Sequence, residues 1–149
     1  MTVLYFKKWF QYDHQVNIKI LDILKNNHNF EAIQAMAHII VAQKLWMCRI
    51  QETSFDFSLF DKKFDFKEIE SLFLDQYQKI KEYLDSIQDQ DLSFKINFKN
   101  KNGDLCHFEV QDIITHIFNH GTHHRAQILW ILKPQVSNLP ILDYIHNLN

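Results

Sequence analysis

Hydrophobic residues recur along most of this chain at intervals of three and four. From about Thr2 to Lys25 the apolar positions Leu4, Phe6, Trp9, Phe10, Val16, Ile20, Leu21, Ile23 and Leu24 follow helical spacing and predict a first helix. "KNNHNF" interrupts the pattern, and a second helix is expected from about Phe30 to Gln51. Its centre, "AIQAMAHIIVAQKLWM", is apolar on most sides, as expected of a helix buried on more than one face. From Glu52 to Phe66, "ETSFDFSLFDKKFDF" alternates aromatic and polar residues. Alternation suits a strand, but Ser, Asp and Lys are frequent and nothing nearby could pair with it. The segment reads as a long connection whose phenylalanines plug one end of the fold. A third helix is predicted from about Lys67 to Ile87, with Ile69, Leu72, Phe73, Tyr77, Ile80 and Leu84 in phase.

The period then changes. Leu92, Phe94, Ile96 and Phe98 alternate strictly with polar residues, which predicts a strand. "NKNGD" supplies a hairpin turn with Gly103 at a positive φ, and Leu105 to Glu109 is the return strand. Helical spacing resumes from about Gln111 to Leu132 and stops before Pro134, and a short helix is expected around Leu142 to His146. Four long helices and one hairpin predict an all-α fold: a four-helix bundle with a small β-hairpin between the third and fourth helices, residues 1–149 forming a single domain.

Composition sharpens this picture by exclusion. Two glycines and two prolines in 149 residues leave few helix breakers. A hydrophobic content of 46% with 23% charged residues is ordinary for a soluble globular chain. The net charge of −2 offers nothing to a nucleic acid or an anionic membrane. Arg49 and Arg125 are the only arginines, too few for a phosphate-tracking stripe. No apolar run approaches the roughly 20 residues of a membrane span. Lys, Gln, Asp and His interrupt the N-terminal stretch, which therefore does not read as a signal peptide, and a cytoplasmic location is expected. Cys48 and Cys106 fit no zinc or redox spacing and read as reduced thiols.

The candidate chemistry is histidine. "THIFNHGTHHRAQILWIL" holds His116, His120, His123 and His124. On a helical wheel, Val110, Ile113, Ile114, Ile117, Ile128, Ile131 and Leu132 form an apolar stripe. His124 falls inside it, His120 at its edge, and His116 and His123 on the flank. His120 and His124 stand at i, i+4, the spacing that sets two imidazoles beside one metal ion. His116 lies about 12 Å from His124 along the axis, too far to join them easily. The third ligand is better sought in His38, within the apolar run "AMAHIIVA". A plainer reading uses the same residues: His38 as a hydrogen-bonded core histidine, and the pair as a coincidence on a polar face. Gly121 follows His120, where an HExxH peptidase would place its glutamate, so that class is disfavoured. Arg125 is a candidate partner for a substrate carboxylate or, alternatively, for a salt bridge at the helix flank. His116 is a candidate outer partner of the site or a flank residue.

With these residues in view, "NHGTHHRAQ" resembles the last-helix motif of the DinB-like (DNA-damage-inducible, YfiT-related) family, matching at His120, His124, Arg125 and Gln127. "AHIIVAQKLWMCRI" is similar to that family's second-helix segment, with His38 followed by Trp46 and Arg49. "FQYDHQVNIKILDIL" and "NGDLCHFEVQDIITHIFNH" resemble its opening helix and its hairpin, so the likeness covers nearly the whole chain. One departure is Ala126, where the family usually has glycine. The resemblance implies a bundle with a divalent metal, nickel or zinc, held by His38, His120 and His124, often in a homodimer. It also implies a small-molecule substrate, with thiol-dependent transferases and isomerases using low-molecular-weight thiols among the relatives. Two function classes follow. One is a metal-dependent thiol S-transferase or hydrolase, in which an open metal position acidifies water or thiol. The other is a non-catalytic bundle with a structural metal or a small-ligand site.

Overall fold

The computed structural model describes residues 1–148 and contains the expected helices with nearly the expected limits. They are α1 (Val3–Asn26), α2 (Phe30–Ile50), α3 (Phe66–Ser86) and α4 (Val110–Leu132), with strands β1 (Lys95–Lys99) and β2 (Leu105–Glu109) between the last two helices. Local chemistry marks the starts. The side chains of Thr2 and Asn29 accept from the backbone N–H groups of Tyr5 and Ala32 at the heads of α1 and α2. Asp65 and Glu68 close a reciprocal capping box at the head of α3.

β1 and β2 pair antiparallel, with Phe98 opposite Cys106. Asn100 accepts from the backbone of Asn102 and Asp104, and Gly103 takes the φ of +87° that the turn needs. The strand begins later than its alternation suggested: Leu92 is buried, but in a 3-10 turn, Asp89–Ser93, ahead of β1. The connection before α3 is no strand. It holds a single 3-10 turn, Phe57–Phe60, and packs Phe55, Phe60, Phe64 and Phe66 against one end of the bundle. The C-terminal segment forms a 3-10 turn at Tyr144–Asn147 rather than an α-helix, tied to α1 by the Tyr12 hydroxyl donating to the Leu142 carbonyl at 2.7 Å.

α1 and α2 each pack on both α3 and α4. The apolar core falls into two clusters. One gathers Ile20, Leu24, Met36, Ile40, Ile69 and Ile128; the other gathers Phe6, Phe10, Met47, Ile80, Leu84, Ile113 and Phe118. Each helix contributes to both, and each carries a buried polar residue in the sequence interval between them: Asp13 and Asn17 on α1, Gln43 on α2, Gln76 on α3 and Arg125 on α4. Among the described residues, no helix is long and apolar enough to cross a membrane.

Candidate metal centre

The buried face of α4 is centred on Gly121, Arg125, Ile128 and Leu132, with Ile114, Ile117 and Phe118 before them. His120 and His124 lie at the margin of that face, half-buried, while His116 and His123 are exposed. The wheel therefore separated His120 and His124 from His116 and His123 correctly but placed its centre wrongly. His124 is not inside the core stripe, and Arg125, expected to meet a substrate carboxylate or to form a salt bridge at the flank, is 1% exposed. The difference has a physical cause. A guanidinium can occupy the core when a carboxylate is buried with it, and the sequence pattern of one helix cannot display that partner.

The margin carrying His120 and His124 faces α2. His38, half-buried there, completes a cluster with ring centroids 5.1 Å from His120 and 4.6 Å from His124; the two α4 rings are 4.3 Å apart. One nitrogen from each ring can be chosen so that all three lie within 4.8 Å of one another. Among the described residues this is the one group of three or more His, Cys, Asp or Glu side chains so disposed. The donor set fits a metal ion. Burial, followed by the neighbouring His124, lowers the pKa of His38. Burial and the surrounding histidines, His124 foremost, push His120 down to about 4. Both rings are thus neutral near pH 7, with a lone pair available to an ion, and imidazole nitrogen suits zinc, nickel, copper or iron better than magnesium or calcium.

His124 is also oriented from outside. Its Nδ1 lies 2.7 Å from Gln127 Oε1, so the Nδ1–H tautomer donates to the amide and leaves Nε2 free. The Gln127 amide in turn donates to His123 Nε2 at 3.2 Å. Phe60 stands over His38 with ring centroids 5.8 Å apart, bringing the long connection to the edge of the cluster. His116 lies outside the three-nitrogen group; its ring is 5.7 Å from His120 and packs edge-on against Trp46 at 4.8 Å. Burial, and then the charge of Arg49, lowers its pKa.

Arg125 belongs to a different constellation. Its Nη1 donates to Asp13 Oδ1 at 2.6 Å and Asn17 Oδ1 at 2.9 Å, and its Nη2 donates to Thr122 at 3.1 Å. Asn17 and Gln43 each donate to Asp13 Oδ2 at 3.0 Å. A carboxylate at 2% exposure thereby receives three donors, joining α1, α2 and α4. Gly121 makes room for it: a Cβ there would lie 2.8 Å from Arg125 Nη1 and 3.0 Å from Asp13 Oδ1. The sequence reading missed Asp13, Asn17 and Gln43. The available signal was a polar i, i+4 pair and a lone amide set among apolar positions of α1 and α2. His14 stacks on Tyr77 with centroids 3.8 Å apart.

No curated protein matches this chain. The family model described as DinB family matches residues 10–148, and the chain belongs to that family.

Proposed function

We propose that this DinB-family bundle binds one divalent metal ion, nickel or zinc, through His38, His120 and His124, and uses it on a small-molecule substrate as a metal-dependent thiol S-transferase or a hydrolase. The observation that carries the reading is the convergence of three imidazole nitrogens from two helices to within 4.8 Å at a half-exposed seam. A bound ion would supply Lewis acidity, lowering the pKa of a water or thiol brought to it. The protein's own part is to present neutral nitrogens, to fix the His124 ring through Gln127, and to leave the solvent side of the cluster accessible. That accessibility favours an ion that meets substrate over a purely structural one, because structural sites are closed by protein on all sides.

Under this reading His116 buttresses His120 from outside the ligand set. Arg125 has its carboxylate inside the chain, in Asp13, and we read it as holding α4 to α1 rather than meeting substrate. The homodimer remains part of the proposal through the family resemblance, and the single domain and the cytoplasmic setting through the sequence reading. The test is turnover: protein loaded with nickel or zinc is offered glutathione-like and bacillithiol-like thiols with an electrophilic acceptor. The reading expects activity that needs the metal and disappears in His120→Ala. Absence of metal-dependent turnover across the panel contradicts the transferase assignment.

A further inference from the structure

The chain's two arginines have opposite fates. Arg125 meets a buried carboxylate. Arg49, in the last turn of α2, is only partly buried, and its guanidinium carbon lies 4.4 Å from the Trp46 ring centroid and 4.0 Å from that of Phe98. The two rings hold the cation by cation–π attraction. A guanidinium's N–H donors all point outward in its own plane, and they match a carboxylate or phosphate bidentately. Among the described residues no carboxylate pairs with this one; burial lowers its pKa, and the neighbouring group that opposes this is the Cys106 thiol. A cation withdrawn from water without a counter-ion is costly, and the cost is relieved when an anion arrives with a ligand.

The position of Arg49 is as informative as its state. It follows His38 by 11 residues, close to three full turns, which puts both on one face of α2 about 16 Å apart along the axis. Between them α4 contributes His116, in contact with Trp46 at one end and beside His120 at the other. The α2–α4 seam thus carries a three-histidine cluster at one end and an unpaired, aromatic-clamped cation toward the other.

We propose that Arg49 is an anion-binding residue, taking the carboxylate or phosphate group of an elongated small molecule whose reactive end meets the histidine cluster. The second half of this statement rests on the metal-site reading; the first does not. The test is a titration of chelator-treated, isotope-labelled protein with acetate and, separately, inorganic phosphate, each against chloride at equal ionic strength, following the Trp46 indole N–H by NMR. A saturable shift with at least one of the two anions is expected, and the anion that produces it identifies the group. Arg49→Gln keeps a planar amide between the rings without the charge and should bind about tenfold more weakly or worse; Arg49→Lys, with charge but no fork, should fall between. Response to both anions no different from chloride, or undiminished binding by Arg49→Gln, overturns the proposal. Calorimetric nickel titration of wild type and Arg49→Gln separates the two readings. Equal uptake is expected, and loss of uptake in Arg49→Gln contradicts a distinct anion subsite. If wild type takes no nickel while the anion shift persists, the metal reading fails and the Arg49 assignment stands.

Discussion

Replacing Asp13 with alanine strands a charge. Arg125 is 1% exposed, and Asp13 is its counter-ion at 2.6 Å. Removing one member of a buried pair costs about 3–5 kcal/mol, because the remaining charge is left uncompensated in a low-dielectric interior. The upper part of that range applies here, since Asn17 and Gln43 also lose the oxygen that each bonds at 3.0 Å. Domains are typically stable by about 5–15 kcal/mol, so this is a large fraction of the total. At about 2–4 °C per kcal/mol for a chain of this size, a loss of about 4–5 kcal/mol should lower Tm by about 8–20 °C. Urea unfolding followed by circular dichroism reads the same loss as a shift in midpoint with unchanged slope. The control is the double variant Asp13→Ala with Arg125→Met, which removes both charges and should be more stable than Asp13→Ala alone. A single variant within about 1 kcal/mol of wild type would refute the reasoning, since an exposed, hydrated pair behaves that way. A double variant as unstable as the sum of the two singles would refute it too, because it would show no coupling between them.

Two further outcomes follow from the same geometry. Gly121→Ala gains about 1 kcal/mol of helix propensity, yet its new methyl would sit 2.8 Å from Arg125 Nη1, so unfolding measurements should show net destabilisation rather than the gain expected at an open helical site. In metal-free protein the unfolded chain protonates His120 near the ordinary 6.5 and the folded chain only near 4; stability should therefore be intact above about pH 6.5 and decline as pH falls through that window, with His38 and His116 adding in the same direction. His120→Asn should flatten part of that decline in a series of Tm against pH, and an identical slope in the two proteins would contradict it.

What could be read from the sequence was what repeats with a period or is capped locally. The ends of α2 and α4 match the apolar periodicity to within a residue, because Asn29 caps α2 and Pro134 follows the last turn of α4. The pairing of His120 with His124 follows from helix geometry alone, and His38 stood out because an imidazole inside "AMAHIIVA" is hard to explain as a solvated residue. The Asp13–Arg125 network was hidden for the converse reason. Its members are 112 positions apart, and a wheel drawn from apolar residues treats an arginine as surface even when the fold buries it with a carboxylate. The start of β1 is set too early by the alternation, which continues back through Phe94 and Leu92, where a 3-10 turn places a buried leucine just as well.

The central claim is that three histidines from two helices form one metal site. Elemental analysis of purified protein, loaded with nickel or zinc and desalted, tests it directly in wild type and in His38→Ala, His120→Ala, His124→Ala and His123→Ala. The account predicts about one ion per chain in wild type and in His123→Ala, and substantial loss in each of the other three. Full metal retention in all three of His38→Ala, His120→Ala and His124→Ala would contradict it.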